Sequence, residues 1–175
     1  MMQISLGLTV TRQFAVKNRV LVNVGLVVLG SWVLAALAQV RIPLPFTPIP
    51  ITGQTFGVLL IGAALGARLG TASVGFYIVQ GLLGLPFFAG GKSGVMALLG
   101  PTGGYLIGFV VAAYVIGSLA DRGFDRQVWT SLPSFIAGSA VIYLFGALWL
   151  SRFIGMDKAL AAGVLPFLVV TLLKL

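Results

Sequence analysis

From Val20 to Val40 the chain runs 21 residues without a charged side chain, rich in Val, Leu, Ala and Gly. A helix of that length reaches about 30 Å, and the hydrocarbon core of a bilayer is ~30 Å thick. No other feature limits the fold so strongly. Inside a membrane, only helices and closed barrels satisfy their own backbone polar groups. The first span is therefore expected over Val20–Ala38, entered after Arg12, Lys17 and Arg19.

Further apolar runs cover Thr55–Ala67, Leu69–Leu85, Pro101–Leu119 and Ser131–Leu150, with a sixth beginning between Ala159 and Leu165. Counted from Val164, the sixth is too short for hydrocarbon of ~30 Å, so it is expected to be cut within its helix. The fold class implied is an all-α membrane bundle of six helices, a single domain over residues 1–175. Six spans put both termini on one side. That side would carry Arg12, Lys17, Arg19, Arg68, Arg122 and Arg126, the other Arg41, Lys92, Arg152 and Lys158. The excess of cations favours a cytoplasmic N-terminus. A cleaved secretory signal ending at "ALAQ" is a rival for the first run, but that run is longer than a usual signal core and more spans come after it.

Composition narrows the function. Charged residues are 8% of the chain against about 25% in soluble domains, apolar residues are 59%, and mean hydropathy is +1.11. Cys, His and Glu are absent, and Asp121, Asp125 and Asp157 are the only carboxylates. Thiol chemistry, most metal sites and every Ser-His-Asp arrangement are thereby excluded, so no enzyme and no bound cofactor is expected. The net charge of +8 comes from cations standing singly between apolar runs, which suits anionic lipid headgroups and not nucleic acid. No phosphate-binding G-x-x-x-x-G-K-[ST] loop is present, so the chain does not hydrolyse ATP itself.

Small residues four apart (Gly62 and Gly66, Gly66 and Gly70, Gly104 and Gly108, Ala113 and Gly117) point to close helix packing. Two segments break the helical pattern, "RIPLPFTPIPITGQ" at Arg41–Gln54 and the Gly/Pro stretch at Pro86–Gly100. Both fall on one face. Irregular backbone at membrane depth is tolerated where it lines a cavity. With Phe46, Tyr77, Phe87 and Phe88 the two could roof an apolar pocket, leaving Lys92 and Arg41 to meet an anion, although Arg41 also suits a headgroup anchor. Ordinary loops are the alternative. Pro101 is placed to start a helix whose N-terminus faces that pocket.

Three stretches, "PIPITGQTFGVLLIGAALGARLG", "YIVQGLLGLPFFAGGKSG" and "LLGPTGGYLIGFVVAAYVIGSLADRG", resemble BioY, the biotin-specific S component of energy-coupling factor (ECF) transporters. The likeness is continuous from Arg41 to Gly123, and "ALAAGVLPFL" near the end also fits. It implies six helices, a cytoplasmic N-terminus, a pocket for biotin open to the outside, and partnership with a transmembrane coupling protein and two ABC-type ATPases. Some members of the family work without them.

The resemblance also implies a site. The family's last helix reads Pro-Phe-Leu-Pro-Gly-Asp-Leu-Leu-Lys, whose Asp and Lys contact biotin; here it reads "PFLVVTLLK", with Thr171 at the Asp position and Lys174 at the Lys position. A threonine cannot pair with an ammonium as a carboxylate does. The mismatch implies weaker affinity, another ligand or an altered terminus. Gln54, Tyr77, Phe88 and Lys92 complete the expected substrate set; Tyr77 could equally be a helix-interface aromatic. Ser31, Ala35 and Ala38 form a small-residue face on the first helix, expected to dock on the coupling protein. An S component for another vitamin, or a membrane subunit that transports nothing, are the alternatives. The residues do not decide whether copies of the chain associate.

Overall fold

A computed structural model describes residues 19–124 and 128–167. In chain order it contains α1 (Arg19–Gln39), β1 (Arg41–Ile42), β2 (Ile51–Thr52), α2 (Gln54–Leu82), α3 (Val95–Leu99), α4 (Gly103–Asp121), α5 (Val128–Ile154) and α6 (Met156–Gly163). Four of these, α1, α2, α4 and α5, are long and apolar enough to cross a membrane. The all-α membrane bundle read from the sequence is the observed architecture; the one sheet among the described residues is a two-residue ladder pairing Arg41 with Thr52 and Ile42 with Ile51.

The helix α2 is not straight. Gly66 has φ 78° and ψ 178°, a backbone that essentially only glycine adopts, and the chain reverses there. A Cβ on Gly70 would lie 2.9 Å from the Gly62 Cα, two residues that a straight helix would hold about 12 Å apart. The two arms, 54–65 and 67–82, thus form an antiparallel hairpin, matching the separate runs expected on either side of Arg68. Asp121, the last residue of α4, accepts the Ala67 N–H at 3.0 Å and so caps the second arm where it leaves the turn. Gly117 of α4 lies directly against the backbone of Gly66 and Ala67, and Gly62 against that of Ala113. The small residues singled out by their spacing are therefore helix contacts.

Helix α1 packs against both arms. Gly57 receives Leu34 and Leu37, and Gly30 abuts Ser73. This corrects one expectation. Ser31, Ala35 and Ala38 are the buried face of α1, not an outward docking surface, because short side chains are what lets α1 approach the hairpin. Leu29, Trp32 and Val33 occupy its exposed side.

At the other end of the molecule, α5 extends three residues earlier and four later than its expected limits, Ser131 and Leu150. The sixth span differs more. Residues 156–163 form a short helix of their own that ends at Val164 (φ −123°, ψ −55°). Gly163 and Pro166 explain the break, since glycine disfavours a helix interior and Pro166 lacks the N–H that would continue the ladder across Val164. Helix resumes at residues 165–167, and residues 168–175 lie outside the described ones.

Candidate functional site

The two irregular segments meet, as their shared face required. Between them lies a cavity of about 190 Å³, walled by the 43–55 segment on one side, Phe88, Ala89 and Lys92 on another, and by Thr102, Tyr105, Leu106 and Phe109 of the α4 entry. Tyr143 of α5 and Phe167 complete it. That is smaller than the ~300–1,000 Å³ typical of drug-sized ligands. Prolines, aliphatic side chains and aromatic rings form most of the walls, and Gln54, Thr47, Thr52, Thr55 and Thr102 add polar groups among them. The two cations Arg41 and Lys92 are exposed at the rim.

Each wall has a local cause. Prolines 43, 48 and 50 deny the 41–54 segment a helix, and the Arg41–Thr52 ladder closes it into a hairpin. Gly53 donates its N–H to Val40 O at 3.0 Å, tying the hairpin to the end of α1. The second segment is turned by glycines with positive φ, Gly84, Gly90, Gly91 and Gly94. Phe88 and Lys92 face each other in an isolated bridge, with Phe88 N–H donating to Lys92 O at 3.0 Å. The α4 helix begins at Gly103 and not at Pro101 as expected. Thr102 precedes it and donates its hydroxyl to Ala97 O at 3.3 Å, and Trp149 Nε1 donates to Gly100 O at 2.9 Å. The positive end of the α4 dipole thus opens on the cavity.

Gln54 stands at the floor. It is 5% exposed, and its amide is held at both ends. Oε1 accepts the Thr52 hydroxyl at 3.0 Å, and Nε2 donates to Tyr77 Oη at 2.7 Å. Tyr77 Oη in turn donates to Phe87 O at 3.2 Å. One N–H of the Gln54 amide and one lone pair of its oxygen remain for a ligand. Tyr77 does not line the cavity: wholly buried, it stands behind Gln54 and packs edge-on against Phe88, ring centroids 5.6 Å apart at 80°. Phe88, 3% exposed, lies on Gly81, where any Cβ would collide with its ring.

The expected set is thus partly assembled. Gln54, Phe88 and Lys92 share one cavity, Tyr77 supports it, and Thr171 and Lys174 lie outside the described residues. Sequence reasoning undervalued Arg41, which reaches from β1 to the cavity rim. It missed Tyr105, Phe109 and Tyr143, helical aromatics of the wall. The hydroxyls of Tyr105 and Tyr143 donate to Gly163 O (2.7 Å) and Phe167 O (3.3 Å), holding the end of the described chain against α4 and α5. Of these, only Tyr105 carried a signal, its place in "GPTGGY" beside the second loop. Phe46, expected at the roof, is exposed and outside the lining.

The family model described as "BioY family" matches residues 9–175. The chain belongs to the BioY family. Curated BioY relatives include the "Probable biotin transporter BioY" of Pyrococcus horikoshii, 45% identical over 77% of this chain and 78% of that one. The "Biotin transporter BioY" of Thermotoga maritima is 40% identical over 86% and 83%, and "Biotin transporter BioY2" of Lactococcus lactis 34% over 90% and 86%. Among solved structures, the S component for biotin from an ECF-type ABC transporter superposes with a TM-score of 0.77 at 29% identity, covering 86% of this chain and 83% of that one. BioY members are transporter components and not enzymes, and the chain is a multi-pass membrane protein.

Proposed function

We propose that the chain captures biotin from outside the cell in the cavity between the 41–54 and 86–100 segments, as the substrate-binding component of an ECF-type transporter. The observation that carries this reading is the cavity itself: aromatic and aliphatic walls interspersed with threonines, one oriented amide at the floor and two cations at the rim. Biotin is built the same way, with an apolar bicycle, a urea that both donates and accepts, and a carboxylate at the end of a flexible chain. The Gln54 amide can pair with the urea, Phe88 and Phe109 can cover the bicycle, and Lys92 or Arg41 can meet the carboxylate. A charge-assisted hydrogen bond there contributes ~1.5–3 kcal/mol. Phe167, on the wall, leads directly into the stretch carrying Thr171 and Lys174, which the family motif assigns to the ligand.

The cation count supports a cytoplasmic N-terminus, which puts the cavity on the outer face. With no nucleotide loop of its own, the chain would draw energy from a transmembrane coupling protein and two ABC-type ATPases. The decisive experiment is calorimetric titration of the purified chain with biotin, beside Thr171→Asp. Saturable binding by the chain as written is expected. Binding only by Thr171→Asp would show the right pocket with a weakened terminus, and binding by neither would overturn the reading.

A further inference from the structure

The 86–92 segment supplies a wall and a rim cation, yet it is poorly suited to hold itself. Gly84, Gly90, Gly91 and Gly94 all have positive φ, so the unbound chain here has much conformational freedom to lose. Three side chains from elsewhere restrain it. Tyr77 reaches it from beneath through Phe87 O. Arg41 lies against it so closely that a Cβ on Gly90 would meet the guanidinium. Gln39, the last residue of α1, makes the most extensive contact.

The Gln39 Oε1 accepts the Gly91 N–H at 3.1 Å. Its Nε2 lies 3.5, 3.3 and 3.4 Å from the carbonyl oxygens of Pro86, Phe87 and Phe88, and 3.2 Å from Ala35 O on its own helix. Gly91 fixes which end of the amide is oxygen, because an amide nitrogen cannot accept an N–H. One side chain thus holds both the stretch entering the turn, at 86–88, and the turn itself at Gly91, whose N–H is shared with Phe88 O at 3.0 Å. Gln39 itself is exposed and is not part of the cavity wall.

We infer that Gln39 is a positioning residue for the substrate: it pins the 86–92 segment across the cavity mouth and so sets how long a bound molecule stays. The inference rests on the biotin reading above. Its effect belongs to dissociation, because a loosened segment opens more often while the floor and the other walls are unchanged.

Gln39→Met keeps the length and removes both hydrogen-bonding functions, and Gln39→Ala serves as a second variant at this helix end. Stopped-flow measurements with biotin should show dissociation faster by roughly tenfold, the scale of a few lost hydrogen bonds, with association changed less than twofold. Amide hydrogen exchange, read without biotin, should rise in residues 86–92 alone. A general loosening would raise exchange in the helices too and would overturn the inference. Unchanged dissociation in both variants would overturn it as well, whatever the exchange. If the unaltered chain binds no biotin, the functional reading itself has failed.

Discussion

The two ends of the bundle use glycine differently. At the Gly66 end, glycine meets backbone: Gly117 on Ala67, Gly62 on Ala113, Gly70 on Gly62. At the cavity end, Gly53 and Gly103 also meet backbone, but other glycines receive aromatic side chains, with Phe88 on Gly81, Trp149 on Gly104 and Tyr105 on Gly146. Backbone against backbone has no rotamer to adjust, so the first end is a rigid floor. Rings seated on glycines place large flat surfaces and leave a space between them. Stability is concentrated at one end and recognition at the other.

Four substitutions sharpen this contrast. Gly117→Leu should have the largest effect, because its Cβ would collide with backbone atoms of Gly66 and Ala67 that cannot yield. Overpacking costs about 1–3 kcal/mol even where neighbours can move. Little monodisperse protein should be recovered from detergent, and a yield like that of the unaltered chain would refute a rigid floor. At the rim, Lys92→Ala should weaken biotin binding on the order of tenfold or more with an unchanged unfolding temperature, and Arg41→Ala tests whether the second cation shares the carboxylate. Equal calorimetric affinity in both variants and the parent would remove the rim from recognition. Tyr77→Phe is the mildest: it keeps the ring on Phe88 and leaves the Gln54 amide held by Thr52 alone. A loss of about fivefold in affinity is expected, near 1 kcal/mol; no loss would mean that Thr52 alone orients Gln54.

Hydropathy made the helices legible because long uncharged runs have few alternatives in a bilayer. The reversal at Gly66 was nearly so, since Arg68 interrupts the run within two residues of the turn. The same logic reached Phe88 and Lys92, which sit where apolar periodicity fails, while Gln54 came from its place in a segment that resembles the family. It could not separate Tyr77 from the wall, because a buried aromatic behind a ligand contact looks like one in front of it. Ser31, Ala35 and Ala38 misled for a related reason. Small residues at helical spacing say that something comes close, and here it is the α2 hairpin rather than another protein. Tyr105 and Tyr143 were hidden because their place on the cavity depends on which helices become neighbours, which no local pattern states.

The short arms of α2 have a consequence for the depth of the site. The first arm, residues 54–65, rises only about 18 Å from the Gly66 turn to Gln54, against ~30 Å of hydrocarbon. Exposed Arg68 and Arg122 flank that turn and hold it at one interface. Gln54 therefore lies roughly 12 Å below the opposite surface, and the Pro- and Gly-rich segments fill the difference. A molecule resting on the floor has already descended through more than a third of the apolar barrier. What remains for any energised step is the roughly 18 Å spanned by the first arm beneath it.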